Sequence, residues 1–283
     1  MNVAIVTDST ADITEATATD LHVDVVPLFI NFGDVRYRDT IDLSRAEFYH
    51  KLQHEKQLPN TSQPTSALFE DAFRPHVEAG RPIVCITIAG TLSGTVNAAN
   101  AAAAQFPNAD ITVVDSETVA AGLALQVTRA AELAAGGADR ETILASLARD
   151  RETQGGYATL PDLSHAVRTG RVSRTQAFIG SLVKIVPVLK FDHGKILEEA
   201  RVRTFARGQD AMIDAAVKHL GDRIAGARIG VVHADAEPLA NMIAAALRRK
   251  LTAEPASIVV YEVGPVIATH AGPGAVGVFV AAG

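Results

Sequence analysis

Ile83-Val84-Cys85-Ile86-Thr87-Ile88 is an unbroken apolar and β-branched run that stops at Ala89-Gly90. Past the turn Thr91-Leu92-Ser93-Gly94-Thr95 comes the alanine-rich stretch Val96–Gln105, and then a second short run, Ile111–Val114. Short β-branched runs bounded by turn residues read as buried strands. Alanine is the strongest helix former, so the segment between them reads as a helix. A strand–helix–strand unit of this kind builds a parallel sheet covered on both faces.

Working outward, Val3–Thr7 and Val23–Phe32 supply further strands of the same character. Ser44 followed by Glu47 matches a capping box at a helix start. Thr118–Ala135 reads as a long helix stopped by Gly136-Gly137, after which Asp139 caps a helix to about Arg151. Beyond Thr153 the texture changes. Strands are expected at Ala158–Leu160, Val186–Phe191, Arg228–His233, Ser257–Val263, Val266–His270 and Ala275–Ala281. Helices are expected at about Arg174–Lys184, Phe205–Leu220 and Pro238–Lys250. Two strands near Val266 and Ala275 with only a turn between them force an antiparallel step. The expectation is a two-domain α/β protein. Residues 1–153 form a three-layer α/β/α domain with a mostly parallel sheet, and residues 154–283 a domain with a mixed sheet, joined at Gln154-Gly155-Gly156.

Composition narrows the function classes. A net charge of −6 provides no basic footprint for nucleic acid. The local clusters at Arg201–Arg207 and Arg248–Lys250 read as solvated helix ends. A single cysteine, Cys85, excludes an internal disulfide and a cysteine-rich metal site, and it lies in a core strand. The N-terminus carries no basic region before its short apolar run, and no stretch is long enough to span a bilayer. The expected compartment is the cytoplasm.

Several turns carry polar groups suited to a ligand. Ser93 precedes a helix, where free amides and the helix dipole favour an anion. A plain N-cap serine fits the same position, and the G-x-S-x-G elbow of hydrolases is not matched. Thr61-Ser62-Gln63-Pro64-Thr65 stands before the helix Ser66–Val77 and suits either capping or a ligand oxygen. His270 closes an expected strand. Asp8-Ser9-Thr10-Ala11-Asp12 follows the first strand, a favoured place for function in parallel sheets. Gly272-Pro273-Gly274-Ala275-Val276-Gly277 satisfies G-x-G-x-x-G, but it is followed by strand-like residues rather than a helix. A turn between two strands accounts for it better than a dinucleotide site. No zinc-binding H-E-x-x-H and no P-loop lysine occur, so no metal or cofactor is expected.

Taken together, these segments resemble a known family. Thr7-Asp8-Ser9-Thr10-Ala11-Asp12, Thr61-Ser62-Gln63-Pro64, Leu92-Ser93-Gly94-Thr95, Val114-Asp115-Ser116, Gly170-Arg171-Val172-Ser173 and His270-Ala271-Gly272-Pro273-Gly274 occur in this order. In this the chain is similar to the DegV family of bacterial fatty-acid-binding proteins over residues 3–280. It departs from the family pattern at Ala89-Gly90, where paired serines are usual, and at Thr169, where a glycine is usual.

The resemblance implies a long-chain fatty acid between the two domains. Ser93 and Thr61 would donate to its carboxylate, the Gly94 amide would add a further bond, and His270 would orient or supplement that group. It also implies a partner, an ATP-dependent fatty acid kinase that makes the acyl phosphate for phospholipid synthesis. Arg203 in the basic stretch Arg201-Val202-Arg203-Thr204 is then a candidate docking or phosphate-contacting residue. Storage or transport of lipid is the version without a kinase. The enzyme alternative is a serine hydrolase or esterase using Ser93 and His270, with Asp8, Asp12 or Asp115 as nominal acid.

Overall fold

The computed structural model describes residues 3–55, 57–171 and 185–282. Strands β1 (Ala4–Asp8), β2 (Val23–Val26), β6 (Ile83–Thr87) and β7 (Ile111–Asp115) form an all-parallel sheet in the order β2-β1-β6-β7. Every residue of β1 and β6 is buried. Alternate side chains serve opposite faces, as the pleat requires. Ile5, Val84 and Ile86 join a core cluster with Leu123, Val127, Ile143 and Leu147 of helices Ala121–Ala135 and Arg140–Thr153. Ala4, Val6, Ile83 and Cys85 pack instead with Phe69, Phe73 and Ala99 of helices Ser66–Glu78 and Thr95–Ala103. The result is the expected three-layer domain.

The second sheet uses β8 (Gly155–Thr159), β9 (Val186–Asp192), β10 (Lys195–Val202), β11 (Arg228–His233), β12 (Ser257–Glu262) and β13 (Val276–Ala281), in the order β10-β9-β8-β13-β11-β12. The β11–β12 pair is parallel and the other four pairs are antiparallel, so the sheet is mixed as expected. Helices Phe205–Leu220 and Glu237–Lys250 cover one face through Met212, Leu220, Ile243 and Leu247. The other face is turned toward the first domain.

Helix Ala121–Ala135 lies against both sheets and is buried through its first seven residues, which is why Ala121–Leu125 carries no polar side chain. A Cβ on Gly230 of β11 would lie 2.5 Å from the Ala121 Cβ, so the helix approaches the sheet this closely only because that position is glycine. One core cluster therefore unites Ile5 and Val84 with Leu189, Val232 and Phe279. We propose the division between the domains at residues 153 and 154, where one helix ends and β8 begins.

Two expectations are corrected, and one strand is added. Val23–Phe32 is not one strand. Pro27 interrupts it, and the second part becomes β3 (Phe29–Phe32), which pairs with β4 (Val35–Arg38) and β5 (Asn60–Ser62) in a separate antiparallel sheet. Lys195–Val202 is a strand beyond those the sequence predicts; β9 and β10 meet at His193 (φ 45) and Gly194 (φ 75), a left-handed pair suited to a tight hairpin.

Val266–His270 is not a strand either. Pro265–Ala271 is a helix framed by Gly264 and Gly272. Proline at the first helical position and glycine just past the end are the helix signals that outweighed the β-branched Val266, Ile267 and Thr269. The turn at 272–275 thus joins a helix to β13, and the antiparallel step comes from the pairing of β13 with β11 and β8. The helix expected at Arg174–Lys184 lies outside the described residues. Among the described residues no helix is long and apolar enough to cross a membrane.

Candidate functional site

A cavity of about 320 Å³ lies between the mixed sheet and the loops that leave the parallel sheet. Its size falls in the range of small-ligand sites, about 300–1,000 Å³. The wall is largely apolar. Ile88 and Leu92 come from the segment after β6, Leu189 and Phe191 from β9, and Val266 and Ile267 from the Pro265–Ala271 helix.

Thr61, Ser93, Gly94 and His270 all line this one cavity, together with Ser62, Gln63 and Arg171. They arrive from β5, from the turn after β6 and from the last turn of the Pro265–Ala271 helix. Thr61 is carried by the small antiparallel sheet, where it pairs with Ile30. The Thr61 hydroxyl and His270 Nε2 are 2.8 Å apart, although the residues are 209 apart in sequence. Burial, with the nearby Arg171 charge adding to it, pushes the His270 imidazole down to about 4, so the ring is neutral. Its Nδ1 is buried and has no partner among the described residues.

Ser93 is not the helix cap. Gly94 holds that place, and the Ser93 hydroxyl lies 2.8 Å from the Thr95 hydroxyl. Nor do Thr61 and Ser62 cap a helix: they belong to β5, and Thr65 is the N-cap of the next helix without a side-chain bond. Gly94 is required where it stands. A Cβ there would lie 1.9 Å from Gln63 Oε1, so the amide of Gln63 occupies the space a side chain would need. The hydroxyl–imidazole pair that forms is Thr61–His270; Ser93 and His270 are bonded to other groups, and no carboxylate bonds to His270 among the described residues.

Asp8-Ser9-Thr10-Ala11-Asp12 does not enter the cavity wall. Its groups are buried and turned toward neighbouring loops. Asp8 accepts from the amides of Thr10 (3.0 Å) and Ile88 (2.8 Å). The Ser9 hydroxyl donates to Asp39 (2.8 Å) and accepts from the Leu28 amide (3.0 Å). Asp12 accepts from the Gly264 amide at 2.7 Å, just before the helix that carries His270. The motif therefore ties the segments leading to Ser93 and to His270 to Leu28, which precedes β3, the strand that pairs with the β5 of Thr61. Burial raises Asp8, Asp12 and Asp39 above the ordinary carboxylate range, Asp39 to about 7.

Arg171 was legible only as part of a motif, and its place beside His270 had no local signal. Arg203 does not line the cavity. It is exposed at the far end of β10 from the hairpin tip, where Gly194 accepts a hydrogen bond from Thr91. Eight strand residues separate the two ends, roughly 25 Å. Among the described residues no group of three or more histidine, cysteine or acidic side chains gathers as a metal site.

A two-domain α/β body closed around one apolar cavity with a cluster of hydroxyl, amide and imidazole groups is the class of protein these features define. The family model described as "Uncharacterised protein, DegV family" matches residues 2–283, and the chain belongs to that family. Protein DegV of Bacillus subtilis is 34% identical over 289 residues, covering 98% of each chain. A DegV family protein of Thermus thermophilus, described by its fatty acid binding, superposes with a TM-score of 0.90 at 32% identity over 100% of both chains. A protein of Eubacterium ventriosum described as binding stearic acid gives a TM-score of 0.90 at 26% identity, covering 99% of this chain and 98% of that one.

Proposed function

We propose that this chain binds one long-chain fatty acid in the cavity, with the carboxylate at Thr61, Ser93 and Gly94. The carrying observation is an apolar cavity whose hydroxyl and amide donors cluster in one place. Each hydroxyl has a second polar group behind it. If His270 donates from Nε2 to Thr61, the Thr61 O–H is free for the ligand, and the unpaired buried atom is the Nδ1 lone pair rather than an N–H, the less costly orphan. Thr95 donating to Ser93 frees the Ser93 O–H in the same way. The first amides of the Thr95–Ala103 helix have no intrahelical acceptor and add donors for an anion.

Hydrophobic contact supplies most of the affinity in this reading. At about 0.8 kcal/mol per methylene, a long acyl chain offers roughly 10 kcal/mol before the costs of association. The protein acts as a non-catalytic carrier in the cytoplasm, and it presents the acid to a fatty acid kinase or transports it. The fatty acids described for the Thermus thermophilus and Eubacterium ventriosum proteins support the ligand class. Organic extraction of purified protein followed by mass spectrometry should release fatty acid in stoichiometric amount. Lipid-free protein that also ignores added palmitate and oleate would overturn the reading.

A further inference from the structure

Among the described residues the mixed sheet contributes one polar side chain to the cavity wall. β11 ends at His233, which is 5% exposed and lines the cavity beside Val232, Ala234, Val263 and Val276. Its Nδ1 accepts a hydrogen bond from the Ala236 amide at 3.3 Å. A backbone N–H can only donate, so Nδ1 carries the lone pair and the proton of the neutral ring sits on Nε2. Nε2 has no hydrogen-bond partner among the described residues. This N–H is open to the cavity, and a ligand that fills the space without an oxygen there would leave it unpaired in an apolar wall, whereas a ligand oxygen would satisfy it.

The surroundings define which oxygen. Burial holds the ring in its neutral form, so it offers no positive charge. Glu262, Glu237 and Asp235 all act on it electrostatically, and among the described residues Arg45 is the one cation that does so. A second carboxylate here would meet three acidic groups and a neutral donor. A hydroxyl or keto oxygen meets a donor and no penalty of charge. We propose that His233 is a specificity-determining residue whose Nε2–H receives a neutral oxygen on the acyl chain, so that the site takes hydroxy or keto fatty acids as well as plain ones. This rests on the fatty acid reading above and deepens it.

The test compares stearate with a series of hydroxystearates differing in the position of the oxygen, and with a long-chain dicarboxylic acid. Dissociation constants are measured on delipidated wild type, His233→Leu and His233→Gln. At least one hydroxystearate should bind wild type as tightly as stearate does. His233→Leu should weaken that isomer about tenfold relative to stearate, the usual loss when one buried polar group loses its partner. His233→Gln keeps a donor and should retain part of the preference, and the dicarboxylic acid should bind poorly throughout. If every hydroxystearate binds wild type far more weakly than stearate, or if the ratio is the same in His233→Leu, the inference is wrong. The wild-type ratio decides even if the variants fail to fold. Failure of wild type to bind any of these acids would instead overturn the fatty acid reading itself.

Discussion

The cavity cluster around Ser93 and the turn at Asp8–Asp12 are built from the same few residue types, hydroxyls and short polar side chains on loops that follow parallel strands. They face opposite ways. Thr61, Ser93 and His270 line a cavity, whereas Asp8, Ser9 and Asp12 spend their hydrogen bonds on the amides of Ile88, Leu28 and Gly264. A polar motif at a strand end therefore means either a ligand site or the clasp that holds the site's loops. The difference lies in where its partners come from. The clasp draws them from residues 19 to 252 positions away, and so its role is invisible to local reading.

The sharpest way to break this distinction is to remove the clasp. Asp8→Ala leaves the buried amides of Ile88 and Thr10 without their acceptor, at about 1–3 kcal/mol for each group. Denaturant unfolding should show a loss of about 2–5 kcal/mol, among the larger effects expected of one substitution. Stability within about 0.5 kcal/mol of wild type would mean that the turn is not a clasp.

The two regions also titrate with opposite signs. Burial raises Asp39 to about 7 and lowers His270 to about 4. A carboxyl with a raised folded pKa gives stability that is full below its unfolded value near 3.8 and is lost as pH climbs to about 7. A histidine with a depressed folded pKa does the reverse: the unfolded chain takes up a proton first, so stability is lost as pH falls from 6.5 to about 4. Asp39→Asn should make stability fall more steeply on acidification from pH 7 to 4, and His270→Gln less steeply, each by a few kcal/mol across the window. Parallel stability–pH curves for the two variants would remove the electrostatic half of the comparison.

Smaller is the effect of cutting a single hydroxyl from the cavity cluster. Ser93→Ala and Thr61→Ala should leave unfolding unchanged within about 0.5 kcal/mol but weaken fatty acid binding by about 1.5–3 kcal/mol, the range for a bond to a charged group. A methyl ester should bind wild type and both variants alike. Equal losses for acid and ester would show that these hydroxyls do not read the carboxylate.

Most of the architecture was legible because it depends on local pattern. β1, β6 and the Phe205–Leu220 helix carry unmixed signals, and the capping box at Ser44 and Glu47 forms as its spacing demands. What failed were segments with two signals in conflict. In Pro265–Ala271 the β-branched residues argued for a strand, while the flanking proline and glycines argued for the helix that forms. In the site, Ser93 and Thr61 stood out by residue type, but Arg171 and His233 did not. Each reaches the cavity through tertiary contacts, and a histidine at a strand end carries no sequence mark of what it faces.

The smallest effect concerns Arg203, which lies outside both regions. It is exposed, and among the described residues it forms no ion pair; the neighbouring Arg201 is the residue that pairs with Glu198, at 2.5 Å. A free surface cation contributes little to stability, and Arg203→Ala should change unfolding by under about 0.5 kcal/mol. Its distance from the cavity means that fatty acid affinity should stay within experimental error. If the chain presents its ligand to a kinase, the charge acts on encounter, because rim charges govern association rate and its salt dependence more than affinity. A coupled assay with purified kinase, ATP and fatty acid should then show slower phosphorylation for Arg203→Ala at low ionic strength, with the gap closing as salt rises. Ser93→Ala should slow the same reaction at every salt concentration, since it acts on the bound acid. Turnover of Arg203→Ala equal to wild type at low salt would remove this residue from the docking surface while leaving the cavity untouched.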